Sequence, residues 1–200
     1  EREGVESGLP TQAGNEFKKL FTDAEKAVTN WIENYYIKLS KDFVSERSLQ
    51  FRDPLFPHLL MYGKIDLTER SVDGNISITD FKTGSSKTKG MIEKLDEENR
   101  LSSLMRQLAM YSYLVAGAEK GKPVEASRLL FLESKAGDKN ALYSTHIDNE
   151  TIDLLKRDIA DYVKHIESGD WATLDCNFKS WGSAREECEY CKIAKSLIIK

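Results

Sequence analysis

No stretch of this sequence is long and apolar enough to span a membrane or to act as a secretory signal, which places the expected chain in the cytoplasm. Cysteine is scarce. Cys176, Cys188 and Cys191 are the only three, and they read as reduced structural thiols of a cytosolic protein. An excess of positive charge is also missing: 29 Lys and Arg stand against 33 Asp and Glu, a net charge of −4. Affinity for nucleic acid comes largely from phosphate neutralisation by Lys and Arg, so strong autonomous binding of that kind is not expected. Internal repeats and low-complexity tracts are absent as well. What is present is apolar sequence, 40% of 200 residues, enough for one substantial core.

Periodicity organises the chain. Residues 1–14 are polar, carry Pro10 and read as a flexible lead-in, leaving 15–200 as a single domain. Phe17, Leu20, Phe21, Ala24, Val28, Trp31, Ile32, Tyr35 and Leu39 recur at helical spacing, an aromatic stripe more often core than a base-stacking platform. A strand is expected around Phe43–Phe51. Asp73-Gly74 is a tight-turn signal that folds Leu60–Glu69 against Asn75–Lys82. A helix follows from about Arg100 to Gly117, with Leu101, Leu104, Met105, Leu108, Ser112 and Val115 inward. Ala126–Ser134 and Ala141–Ile147 read as strands. Asp148 then caps a helix over Glu150–Glu167. The order predicts an α/β fold with a mixed central sheet of about five strands flanked by helices.

Chemistry enters where the strand pattern breaks. From Ile76 the order Ile-Ser-Ile-Thr-Asp-Phe-Lys alternates, so Ile76, Ile78, Asp80 and Lys82 share one face. That face begins apolar and ends in a carboxylate and an ammonium. Asp is depleted in strands and costly to bury unpaired, so a partner is expected there. The hairpin brings Asp66 toward Asp80, and two carboxylates with nearby backbone carbonyls suit Mg²⁺ or Mn²⁺. Lys82 could orient a water or offset charge developing on phosphorus. Gln107 and Tyr111, four apart on the following helix, could hydrogen-bond to phosphate without adding charge. The plain alternatives are a surface Asp80–Lys82 ion pair, worth at most about 1 kcal/mol, and an ordinary polar flank on a core helix. Lys87 and Lys89, in the Gly-Ser-rich loop after the strand, could touch phosphate or simply be solvated.

Gly63-x-x-Asp66, Asp80-Phe81-Lys82-Thr83-Gly84 and Gln107-x-x-x-Tyr111 together resemble the PD-(D/E)XK nuclease superfamily, most closely its RecB/AddB-like branch. The resemblance implies a restriction-endonuclease-like core. It implies metal binding by Asp66, Asp80 and the Phe81 carbonyl, a catalytic role for Lys82, and Gln107 and Tyr111 near the substrate. The implied activity is Mg²⁺/Mn²⁺-dependent cleavage of DNA, as the exonuclease module of a repair or recombination helicase-nuclease. The implied partners are single-stranded DNA and a helicase domain or subunit, and the linker-like beginning fits a domain cut from such a protein.

Two features depart from that branch. A His expected on the first helix is missing: the three are His58, His146 and His165, and Asn15, Glu16 and Glu25 occupy the helix instead. Glu46, in the expected first strand, is a candidate extra carboxylate or a solvated strand residue. Iron–sulfur members use an upstream Cys and three near the end. Here no upstream Cys exists and Leu197 falls near a last ligand position, so no complete cluster is expected. A scaffold with a dead site, binding DNA or a helicase partner, is the alternative function.

Overall fold

A computed structural model describes residues 11–120, 122–135, 137–170, 191–193 and 196. Its contacts divide the chain into two compact units, residues 1–155 and 156–200. In the second unit the described residues include 156–168, the end of a long helix, and a hydrogen-bond contact between His165 Nδ1 and Asp170 Oδ1 at 2.8 Å. Cys176, Cys188, Leu197 and residues 1–10 of the expected lead-in lie outside the described residues.

The first unit opens with helix α1, Thr11–Asn34, so the last four residues of the expected lead-in form its first turn. A short 3-10 turn, Tyr36–Lys38, ends the helical run before Leu39, whose backbone is extended. Strands β1 (Asp42–Phe51), β2 (Met61–Arg70) and β3 (Ile76–Lys82) follow. Then come the short helix α2 (Lys89–Glu93), helix α3 (Ser103–Ala118), and strands β4 (Val124–Phe131) and β5 (Leu142–Thr145). Helix α4, Asn149–Ser168, closes the series, and Asp148 caps it by accepting from the Thr151 backbone N–H at 2.8 Å. The strand expected to reach Ser134 stops at Phe131, because the Ser134 N–H turns back to the Phe131 carbonyl.

The five strands form one mixed sheet in the order β1-β2-β3-β4-β5. All neighbouring pairs are antiparallel except β3 and β4. Parallel neighbours need a crossover connection, and α2 and α3 supply it. That crossover lays α3 on the sheet beside β3, which decides where the site forms. Ile65, Ile76, Ile78, Val115 and Val124 form one buried cluster between α3 and the sheet, with Leu49 and Tyr111 packed against it. Each fully buried side chain of this size contributes about 1.5–3 kcal/mol. Ser102 fixes the start of α3: its hydroxyl accepts from the Met105 N–H at 3.1 Å and donates to the Ile92 carbonyl at 2.5 Å, tying α2 to α3.

On the other face the structure corrects one expectation. Trp31 meets Phe81 edge-on with centroids 6.0 Å apart, and Tyr36 meets Phe43 at 6.5 Å. Earlier in α1, however, Leu20 is 69% and Phe21 64% exposed, and Val28 is exposed too. The stripe predicted as core is anchored only near its C-terminal end, and its first turns face no opposing layer among the described residues.

Candidate active site

β3 ends at the site. Hydrogen-bonded pairing of β2 with β3 runs from Arg70↔Ile76 to Leu67↔Thr79 and stops there. Beyond it Asp66 closes the gap with its side chain, Oδ2 accepting from the Phe81 backbone N–H at 2.8 Å. A strand residue's N–H and C=O project toward the same neighbour, so the Phe81 carbonyl also lies on the β2 side, next to Asp66.

Asp80 is 3% exposed, and its Oδ2 is wholly enclosed. That oxygen faces Lys82 Nζ at 2.7 Å, an ion pair without a well-angled hydrogen bond. The other oxygen accepts from Gln107 Nε2 at 3.0 Å. Gln107 is the hub: its Oε1 accepts from Lys82 Nζ at 2.5 Å, and Nε2 also reaches the Tyr111 hydroxyl at 3.0 Å. All five residues predicted from the sequence are therefore brought together on the α3 face of the sheet. The plain alternative, a surface Asp80–Lys82 pair, does not describe it: the carboxylate is buried and the ammonium half-buried.

Electrostatics follow from burial. Desolvation raises the Asp80 pKa above its ordinary value and the Asp66 charge adds to it, while the Lys82 ammonium pulls it down without cancelling the rise. Burial likewise pushes the Tyr111 phenol up, helped by Asp80 and Asp66 and opposed by Gln107 and Lys82. Tyr111 stays a neutral hydrogen-bonding group.

Helix α3 can come this close because of Gly63. A Cβ there would meet Leu114 Cδ1 at 2.6 Å and Tyr111 Cε1 at 3.6 Å. The glycine of the Gly-x-x-Asp motif thus gives room to the helix that carries Gln107 and Tyr111.

Other predicted positions lie elsewhere. Glu46 is exposed and pairs with Lys64. His58 and His146 are exposed, as are Asn15, Glu16 and Glu25 on α1. Lys87 is exposed, and Lys89 is shared with Glu93 at 3.7 Å. Two features were not legible in the sequence. Ser86 donates to Asp138 at 2.6 Å, and the Leu132 N–H donates to the Lys82 carbonyl at 2.9 Å. Both pin the loops around Lys82 across about 50 residues of chain, a separation that leaves no local pattern.

Among the described residues no group of three or more His, Cys, Asp or Glu forms a metal cluster. A hard divalent cation needs fewer, since Mg²⁺ is commonly held by one or two carboxylates and keeps several waters. The enclosed Asp80 oxygen and the adjacent Asp66 carboxylate fit such an ion chemically: both are hard oxygen donors, and a cation would offset the cost of burying charge.

The sequence model of the PD-(D/E)XK nuclease superfamily matches residues 7–196. No curated protein matches the chain. Among solved structures it is similar to SSO0001, at 17% identity and a TM-score of 0.38, covering 79% of this chain and 64% of that one. It is also similar to the "putative exonuclease" of Eubacterium rectale, at 12% identity and a TM-score of 0.48, covering 86% and 60%. The chain therefore spans somewhat under two thirds of the length of either.

Proposed function

The chain belongs to the PD-(D/E)XK nuclease superfamily, and from that premise we propose that it is a divalent-metal-dependent deoxyribonuclease acting through Asp66, Asp80, Lys82, Gln107 and Tyr111. The observation that carries the reading is the convergence of these five side chains at the C-terminal end of β3, where the ladder to β2 opens. Asp66, Asp80 and the Phe81 carbonyl would hold Mg²⁺ or Mn²⁺, as superfamily members generally use divalent ions. Bound there, the metal supplies Lewis-acid stabilisation of charge on a scissile phosphate.

The remaining work belongs to the chain. Lys82 brings a fixed ammonium within reach of Asp80, so it can orient an attacking water or offset charge developing on phosphorus. Gln107 holds Lys82 and Asp80 in one geometry from its two ends. Tyr111 adds a neutral donor that costs no repulsion against phosphate.

We extend the reading to an exonuclease module of a DNA repair or recombination helicase-nuclease, working on single strands delivered to it. The net charge of −4 supports delivery by a partner over autonomous capture. The experiment is cleavage of end-labelled single- and double-stranded DNA in Mg²⁺, Mn²⁺ or EDTA by wild type and Asp80→Ala. Expected are metal-dependent products that shorten progressively from an end and vanish in the variant. Full activity in EDTA would overturn the proposal.

One observation favours a scaffold instead: Lys82 already neutralises Asp80 at 2.7 Å, as a purely structural pair would. Calorimetric Mn²⁺ titration separates the two. A catalytic site binds Mn²⁺ in a manner abolished by Asp80→Ala, and a scaffold binds none.

A further inference from the structure

β1 and β2 change sides at a single place. Early in β1 Phe43 lies on the α1 side of the sheet, since it meets Tyr36 of the turn after α1, which in turn packs on Trp31 of that helix. Later odd residues face α3: Arg47 pairs with Glu119, Leu49 packs on the core beside Val115, and Phe51 meets Tyr113 edge-on at 5.6 Å. In an uninterrupted strand, residues an even number apart share a face. β2 behaves the same way. Gly63 lies under Tyr111 and Leu114 on the α3 side, while Leu67 and Glu69 line a cleft of about 290 Å³ with Trp31 and Tyr35.

The change falls where the register passes from Ser45↔Leu67 to Arg47↔Ile65, skipping Glu46 and Asp66. Glu46 there has φ +54°, the left-handed region in which a residue with a Cβ is strained. Strain of this kind persists where the surrounding structure imposes it, often beside functional groups.

We propose that Glu46 is a positioning residue whose left-handed backbone makes the side switch that puts Asp66 on the Asp80 face. Ile65 faces α3, so without the switch its neighbour Asp66 would project toward α1. The inference rests on the assignment of Asp66 as a metal-holding carboxylate. The Glu46 side chain is incidental: it is exposed and engages only Lys64 among the ion pairs described for it, raising that ammonium's pKa. Conformation, not charge, is the contribution.

The test is the Mn²⁺ Kd by calorimetry, with thermal melting of the metal-free protein. It compares wild type with Asp66→Asn and with Glu46→Gly, Glu46→Gln, Glu46→Ala, Glu46→Thr and Glu46→Val. Glycine adopts the left-handed region without steric cost, a gain offset in part by its greater freedom in the unfolded chain, so Glu46→Gly should bind within about twofold of wild type and melt no lower. Glu46→Gln should bind as wild type does. Affinity should hold for Ala, whose Cβ is no more crowded than that of Glu, and should fall for the β-branched Thr and Val, by about 10- to 100-fold, the range seen when a group orienting a metal ligand is lost. Should the valine variant not fold, the threonine variant carries the comparison. Wild-type affinity in Thr and Val, with binding lost in Asp66→Asn, overturns the inference and leaves the metal site standing. Loss of binding in Glu46→Gln also overturns it, by making the carboxylate the active part. Absence of Mn²⁺ binding in wild type overturns the metal reading beneath it.

Discussion

Asp80 holds its proton to a higher pH in the folded chain than in the unfolded one, because burial raises its pKa. The associated stability is full below the ordinary carboxylate value near 3.8 and declines as pH rises through the raised folded value. Metal-free wild type should therefore lose melting temperature over that interval, and Asp80→Asn should flatten the slope. An identical pH profile in the variant would contradict this account of the buried carboxylate. Tyr111 is a finer probe. Tyr111→Phe keeps the ring against Gly63 and removes one hydrogen bond to Gln107. Such a neutral bond is worth about 0.5–1.5 kcal/mol, so cleavage should slow by roughly 2- to 13-fold, measured in single turnover. Asp66, Asp80 and Lys82 were legible in the sequence because each breaks an apolar strand pattern. The Gln107 hub was legible only as a neighbour of Tyr111. Its grip on Lys82 depends on where the crossover lays α3, and no local spacing encodes that.

Two elements hold the site by close approach. Gly63→Ala would drive a methyl into Leu114, and overpacking of this kind costs about 1–3 kcal/mol. The variant should melt at lower temperature and lose Mn²⁺ affinity together, since α3 carries both packing and site; unchanged melting would contradict the contact. Helix α2 is held differently, by the Tyr143 hydroxyl donating to Glu93 at 2.8 Å. Burial, then that carboxylate, pushes the Tyr143 pKa up to about 12 from 10.0. Between those values the unfolded chain ionises while the folded chain does not, so stability should fall as pH rises from 10 to 12. Melting curves of Tyr143→Phe should fall less steeply over the same range. At this scale the hairpin, the α3 helix and the Asp148 cap could be read from period and turn chemistry. The side switch at Glu46 could not, because alternation is locally intact on both sides of it. The α1 stripe was misread because periodicity reports an apolar face and not what covers it.

For the whole molecule, the mixed sheet follows from one parallel pair, β3 with β4, whose crossover carries the site's second half. The order of helices and strands made the fold class legible, and the order of three motifs made the family legible. The net charge of −4 bears on the proposed delivery and not on the chemistry: phosphate neutralisation by Lys and Arg drives autonomous DNA binding, and the chain has no overall excess of them. The central claim is that Lys82, held by Asp80 and Gln107, acts on a phosphodiester at a metal site. It is tested most directly by the single-turnover cleavage rate of 5′-labelled single-stranded DNA at saturating Mn²⁺, wild type against Lys82→Ala. Loss of one charged stabiliser of the transition state should slow cleavage by about 10²-fold or more. Cleavage at the wild-type rate by the alanine variant would contradict the account.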